Sequence, residues 1–328
     1  MSSEEVLSGN SINQLNELGD EIESIISDKA PEILLPEETD DAPNLYRGEA
    51  LNKSELYELT ARRRINLIYV AGSVRSGKTT LLTMMQHMFV AGKNERLEFA
   101  GSLTLMGYKK RTAGLLIANG NSVPQMGRTS SLDTDIFLHL ILSDVKKEKQ
   151  ELVFSDISGE LAGPVESHGE EIYNVFYGVR DLQNVIIVID GEGLSGKKRF
   201  AVQNEGYSTF TRLYEQQVIG RDTAVHMVIS KYDKIMQADN CTDIQHNINN
   251  YKNEFIAKMQ DKCRRIDFYE TAAISQCQQI NNYHGIEKLL VSCMEHEAKE
   301  NVVVNETFMV CVDRHLAKRS FDKFAWKG

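Results

Sequence analysis

Apolar positions along the chain follow two rhythms. Near the N-terminus, Ile12, Leu15, Leu18, Ile22, Ile25 and Ile26 recur three and four residues apart. That is the period of one helix face and predicts an amphipathic helix over residues 11–29. A shorter helix is expected over residues 54–63. Beyond it, short unbroken apolar runs replace the helical period. Ile65-Asn66-Leu67-Ile68-Tyr69-Val70-Ala71 has the length and β-rich composition of a strand buried on both faces. Val185-Ile186-Ile187-Val188-Ile189, residues 223–230 and residues 266–269 read the same way. Residues 135–142 and 150–156 are two more strands, joined by the charged turn Lys146-Lys147-Glu148-Lys149, which predicts a hairpin. Helical stretches fill the intervals at residues 79–90, 199–218, 242–262 and 285–299. Strands alternating with helices predict an α/β fold, a mostly parallel sheet flanked by helices with one antiparallel hairpin. Residues 91–134, interrupted by Gly92, Gly101, Gly107, Gly114, Gly120 and Gly127, carry no readable period.

Charge divides the chain more sharply than hydropathy does. The 328 residues have a net charge of −10; residues 1–60 hold 15 acidic and 3 basic side chains, and the remaining 268 hold 32 and 34. Pro31, Pro36, Pro43 and the stretch Pro36-Glu37-Glu38-Thr39-Asp40-Asp41 read as a linker. The expected organisation is an acidic N-terminal extension (1–64), a body (65–299) and a tail (300–328). A nearly neutral body lacks the basic surface of a nucleic-acid binder. No apolar run of about 18 residues exists, so membrane insertion is not expected. Five cysteines without a C-x-x-C pair argue against a disulfide framework or a zinc site and fit a reducing cytoplasm.

The strongest chemical signal is Gly72-Ser73-Val74-Arg75-Ser76-Gly77-Lys78-Thr79, which fits G-x-x-x-x-G-K-[ST] between a strand and a helix. Glycines let the loop turn successive backbone N–H groups onto a phosphate, and the helix adds its positive end. Backbone groups from Gly72 to Thr80 would cradle the phosphates. Lys78 would reach the β- and γ-phosphates, and the Thr79 hydroxyl would ligate Mg²⁺. Later in the chain, Phe154-Ser155-Asp156-Ile157-Ser158-Gly159 ends a strand. Asp156 can hold Mg²⁺ through a water, and the Gly159 N–H can approach the γ-phosphate.

Two further strand ends bear on the base. Val228-Ile229-Ser230-Lys231-Tyr232-Asp233 resembles the guanine-reading N-K-x-D motif, with Ser230 in place of Asn. A carboxylate at Asp233 can accept both the N1–H and the N2–H₂ of guanine, whereas adenine offers no such donor pair. The Lys231 stem can lie along the base. Tyr269-Glu270-Thr271-Ala272-Ala273 resembles the S-A-K motif, whose backbone N–H contacts guanine O6.

In this order the motifs resemble a P-loop GTPase over about residues 65–299, some 70% of the chain. The segment Gly101-Ser102-Leu103-Thr104-Leu105-Met106-Gly107, together with Arg128-Thr129-Ser130, is similar to the double-GTPase-type domains of bacterial GTPase-associated defence systems. The resemblance implies GTP and GDP as ligands, Mg²⁺ as cofactor, hydrolysis of GTP, and a partner protein regulated by the nucleotide state. Thr129 and Thr134 are both candidates for the switch threonine that binds Mg²⁺ and the γ-phosphate; Thr134 lies 22 residues before Asp156. Arg128 reads either as an arginine finger in cis or as a surface arginine. Glu160 stands where many GTPases have a water-orienting Gln, and its charge would slow hydrolysis without a partner. Residues 157–180 form a candidate second switch. A partner would dock on residues 11–29 or on the switch segments. Two other readings stay open: an ATP-driven P-loop ATPase or kinase, in which Asp233 is incidental, and a non-catalytic nucleotide-binding scaffold.

Overall fold

The computed structural model describes residues 48–116, 137–156 and 182–295. The helix expected over residues 11–29, the segments 128–134 and 157–180, and the tail 300–328 lie outside the described residues. Seven strands form one sheet: β1 (Asn66–Gly72), β2 (Glu98–Gly101), β3 (Phe137–Ser143), β4 (Lys149–Ser155), β5 (Asn184–Asp190), β6 (Ala224–Ser230) and β7 (Arg265–Glu270). Their order across the sheet is β2-β3-β4-β1-β5-β6-β7. Strands β4, β1, β5, β6 and β7 are parallel, and β2–β3 and β3–β4 are antiparallel. The expected mostly parallel sheet with a hairpin is therefore present; the hairpin is β3–β4.

All seven residues of β1 and of β6 are buried. Alternate residues serve opposite faces, as the strand period demands. Leu67, Tyr69 and Ala71 join one core with Val185, Ile187, Ile189, Val225, Met227 and Ile229. Helices α5 (Arg199–Glu215) and α7 (Cys241–Met259) close it through Phe210 and Phe255. Ile68 and Val70 join the other core with Ile186, Val188 and Val228, covered by α2 (Lys78–Val90), α3 (Leu105–Leu116) and α8 (Ile286–Met294). The short helices α4 (Gly191–Ser195) and α6 (Tyr232–Met236) follow β5 and β6 directly.

Helix α1 (Lys53–Arg62) begins with a reciprocal capping box: Asn52 Oδ1 accepts from the Glu55 N–H at 3.0 Å, and Glu55 Oε2 accepts from the Asn52 N–H at 2.9 Å. Its Leu56 and Leu59 are buried against the same face as Phe137 and Val153. Leu51 also bridges Phe137, with N–H···O distances of 2.8 and 3.1 Å. From Gly48 onward the acidic N-terminal segment thus packs as part of the body.

The structure also resolves part of the glycine-rich region that carries no period. Strand β2 is a four-residue edge strand with Glu98, Phe99 and Ala100 exposed and a register shift at Phe99/Gly101. It has no buried face to leave an alternating signature. Helix α3 contains two glycines. One of them, Gly107, is required by a close approach, because a Cβ there would lie 2.7 Å from the Ala50 backbone nitrogen.

A buried polar network ties the amino ends of the central strands to α8. Asn66 Nδ2 donates to the Cys293 carbonyl at 2.8 Å, and Asn184 Nδ2 lies 3.2 Å from both that carbonyl and Asn66 Oδ1. His226 Nε2 lies 2.9 Å from Asn184 Oδ1, which can only accept, so Nε2 carries the proton. Nδ1 is then a buried acceptor with no partner among the described residues. Burial, aided by Arg265 and Arg264, pushes the imidazole down to about 3. The unfolded chain takes up a proton near pH 6.5 that the folded chain refuses, so this stability is complete above pH 6.5 and falls away below it. Going from pH 7 to pH 5 should cost about 2 kcal/mol. Thermal melts should show that loss, and His226→Gln should flatten it.

Candidate functional site

Strand β1 ends at the centre of the sheet, where the chain first winds toward β4 and later crosses to β5. The carboxyl ends of parallel strands leave a crevice at such a reversal. Residues Gly72–Gly77 turn there into α2. Gly72 has φ +145°, and a Cβ on it would lie 2.4 Å from the Val188 carbonyl oxygen, so only glycine fits. Arg75 (φ +64°) and Gly77 (φ +94°) are left-handed and shape the turn. Val74 and Arg75 face outward. Gly77 caps α2 without a side-chain hydrogen bond, and the first intrahelical bond runs from Leu81 N–H to Gly77 O at 2.8 Å. The first turn of the helix, which includes Thr80, presents its amides to the loop, as an anion site requires.

Lys78 is buried, and its Nζ donates to the carbonyls of Gly72 and Ser73, each at 2.8 Å. Burial pulls the ammonium down to about 8, against the raising influence of Asp156. The neighbouring Ser76 hydroxyl is fully buried and has no hydrogen-bond partner among the described residues. Thr79 Oγ1 donates to Asp156 Oδ1 at 2.8 Å, and Asp156 is 1% exposed at the end of β4. Hydroxyl and carboxylate are hard oxygen donors suited to Mg²⁺. The glycine cradle, the desolvated lysine, the unpartnered hydroxyl and this oxygen pair fit a Mg²⁺–nucleotide phosphate. Among the described residues no group of three His, Cys, Asp or Glu side chains could hold a metal by itself.

Arg111, on α3, is part of this site and was missed by sequence reasoning. Its Nε donates to Asp156 Oδ2 at 3.1 Å, and its NH1 donates to Gly107 O at 3.2 Å. No motif or period singles it out in the glycine-rich stretch around it.

Strand β6 brings the candidate base-reading residues to the same edge. Ser230 Oγ lies 2.6 Å from Ser76 O and 3.1 Å from Ile189 O, joining the phosphate loop to the ends of two strands. Lys231 is left-handed (φ +51°), and its Nζ is held by Asp190 at 3.0 Å and Glu192 at 3.2 Å. Asp233 is 3% exposed, and its Oδ2 accepts from the Gln276 N–H at 3.3 Å. Thr271 serves the framework: its N–H donates to Ile229 O at 2.8 Å, and its carbonyl accepts from the Tyr232 N–H at 3.0 Å. The Ala272 N–H is taken by His284 O at 3.2 Å, and the Ala273 carbonyl accepts from the Tyr283 N–H at 3.3 Å. Asp190, Glu192 and Gln276 are supporting residues that no sequence pattern marked. Arg128, Thr129, Thr134, Gly159 and Glu160 lie outside the described residues.

A phosphate loop at the centre of a parallel sheet, with aspartates after β4 and β6, defines the P-loop GTPase fold. The model of one family, Double-GTPase 2, matches residues 66–294. The chain belongs to the Double-GTPase 2 family and is a GTP-binding protein. Among solved structures it is similar to a signal recognition particle receptor SRb-GTP/SRX complex from Chaetomium thermophilum, with 13% identity, a TM-score of 0.35, and coverage of 66% of this chain and 94% of that one. It is also similar to the G domain of the T. maritima FeoB iron transporter, with 13% identity, a TM-score of 0.35, and coverage of 70% and 97%. No curated protein matches the sequence. Among the described residues no helix is long and apolar enough to cross a membrane.

Two outcomes follow from this geometry. A phosphate beside Lys78 favours its charged form, so nucleotide binding above pH 8 should be accompanied by uptake of a fraction of a proton. Calorimetry in buffers of different ionisation enthalpy reads this directly, and Lys78→Met should abolish the uptake. Ser230→Ala removes the tie between β6 and the loop and should weaken GDP binding about tenfold, the equivalent of one buried hydrogen bond. Displacement of a fluorescent GDP analogue measures that change.

Proposed function

We propose that the chain is a cytoplasmic switch that binds Mg·GTP, hydrolyses it to GDP and thereby regulates a partner protein. The observation that carries this reading is Ser230. Its hydroxyl lies against Ser76 O, so Asp233, three residues on, shares one rigid edge with Lys78, Thr79 and Asp156. Phosphate groups and guanine would be held by two chain segments tied together through the Ser230 hydroxyl.

The reaction is in-line attack of water on the γ-phosphate. Lys78 and the amides of Gly72 to Thr80 would stabilise the charge that develops there. Thr79, and Asp156 through a water, would hold Mg²⁺, which offsets the charge of the phosphates. Asp233 would accept the two guanine donors, with the Lys231 stem beside the ring. The Ala273 amide would face O6, because the Ala272 N–H is already taken. Thr129 or Thr134 would sense the γ-phosphate, helped by Gly159. Arg128 and Glu160 would set the rate of hydrolysis, slow until a partner engages. Order in the segments near 128–134 and 157–180 would be the output. The partner would dock there or on residues 11–29, and the resemblance to GTPase-associated systems points to a bacterial defence setting.

The test is competition against a fluorescent GDP analogue with Mg²⁺, using GDP, GTP, ADP, ATP and XDP. Guanine nucleotides should displace it and adenine nucleotides should not. Asp233→Asn should lose guanine binding by at least a hundredfold and gain XDP, because the amide donates where the carboxylate accepted. Displacement by ATP, or an indifferent variant, would sink the guanine reading.

A further inference from the structure

Asp156 has both carboxylate oxygens engaged in a nearly sealed position. Oδ1 accepts from Thr79, and Oδ2 accepts from Arg111. A buried carboxylate needs a counter-charge. Lys78 does not bond to it, since its Nζ donates to the carbonyls of Gly72 and Ser73. Among the described residues the salt-bridged cation is Arg111, which lies on α3 and precedes Asp156 by 45 residues.

We propose that Arg111 and Mg²⁺ compete for Asp156, which makes α3 a sensor of whether the site is loaded with metal. The inference rests on reading the site as a Mg²⁺–guanine nucleotide site. A divalent ion on the Thr79 hydroxyl adds two positive charges beside a guanidinium in a poorly solvated crevice. The like charges repel, and the carboxylate no longer needs the arginine. Arg111 has a route out: its side chain is 20% exposed, whereas that of Asp156 is 1% exposed. Coupling is reciprocal, so an arginine displaced by the metal must also weaken the metal.

The same helix carries the signal onward. Arg111 is tied back to Gly107 O within α3. The N–H groups of Met106 and Gly107 donate to Gly48 O at 2.7 and 3.0 Å, and Lys110 pairs with Glu49 at 2.6 Å. Gly48 and Glu49 lead into Leu51, which bridges Phe137 at the start of β3. Release of Arg111 from Asp156 therefore reaches the residues by which the N-terminal segment enters the sheet.

The experiment titrates Mg²⁺ into the full chain with a fluorescent GDP analogue and compares wild type, Arg111→Gln and Arg111→Lys. The Gln variant should need on the order of tenfold less Mg²⁺ for half-maximal tightening, with the Lys variant in between. A Mg²⁺ midpoint that stays fixed or rises in the Gln variant overturns the competition. Wild type that binds no GDP analogue at any Mg²⁺ concentration overturns the nucleotide reading itself. Hydrogen exchange on wild type decides the matter even if the variants fail to fold. Amides of residues 105–116 should exchange faster with GDP plus Mg²⁺ than with GDP plus EDTA, and equal exchange overturns the proposal.

Discussion

The phosphate loop has to lie flat against the ends of two strands it does not belong to, and the rest of the site depends on that contact. Gly72 sits opposite Val188 in the β1–β5 ladder, so close to its carbonyl that no side chain fits. Ser230 reaches Ser76 O and Ile189 O from β6. Gly191 is held to glycine by the same crowding, since a Cβ there would meet Ser230 O at 2.1 Å. Three neighbouring strand ends and one loop are therefore a single steric unit. Any shift of β6 register would move the phosphate loop with it through Ser230, which couples the strand end that carries Asp233 to the geometry of the loop. Ser230 stands where the guanine-reading motif has Asn, and the hydroxyl is long enough for the bond that matters here, to the loop carbonyl.

The sheet divides its labour between its two edges. The carboxyl edge gathers charged and strained groups: a desolvated lysine, a buried aspartate, left-handed Arg75 and Lys231. Each is unfavourable by itself and persists because the surroundings hold it. The amino edge does the holding. There Asn66, Asn184 and the Cys293 carbonyl lock α8 across β1 and β5, and His226 extends the network to β6. Polar groups in a core make register costly to change, because a slip would leave each of them unpaired. The neutral, half-satisfied imidazole of His226 is the weak point of that edge.

What was legible in the sequence follows from burial. Strands covered on both faces, such as β1 and β5, are continuous apolar runs and could be placed within a residue or two. The phosphate loop was legible because its steric demands permit only glycine at Gly72 and favour it at Gly77. Edge strand β2 was not, because exposed residues carry no pattern. Helix α3 was hidden by Gly107 and Gly114, which lower helix propensity; Gly107 is there for the passing Ala50 backbone. Arg111 was illegible for a deeper reason. Its role comes from where α3 lies relative to β4, and an arginine on a helix has no signature until its partner is known. The same holds for Asp190 and Glu192, whose grip on Lys231 depends on β5 and β6 ending side by side.

The cations of the site satisfy themselves internally, and this bears on where selectivity comes from. Lys78 bonds two carbonyls of its own loop, and Arg111 bonds Asp156. A phosphate arriving at the loop exchanges these bonds for new ones and does not add bonds to bare charges, so its net gain is smaller than a count of contacts suggests. At the other end, Asp233 is almost sealed from water and, among the described residues, accepts a single N–H at 3.3 Å, which leaves most of its acceptor capacity unmatched there. A guanine edge supplies the donors that this carboxylate lacks, while an adenine edge would bury it further without supplying them. Every nucleoside triphosphate can make the same phosphate exchange. On the proposed reading the carboxylate at Asp233 would therefore discriminate between bases, and its burial would make a mismatch expensive.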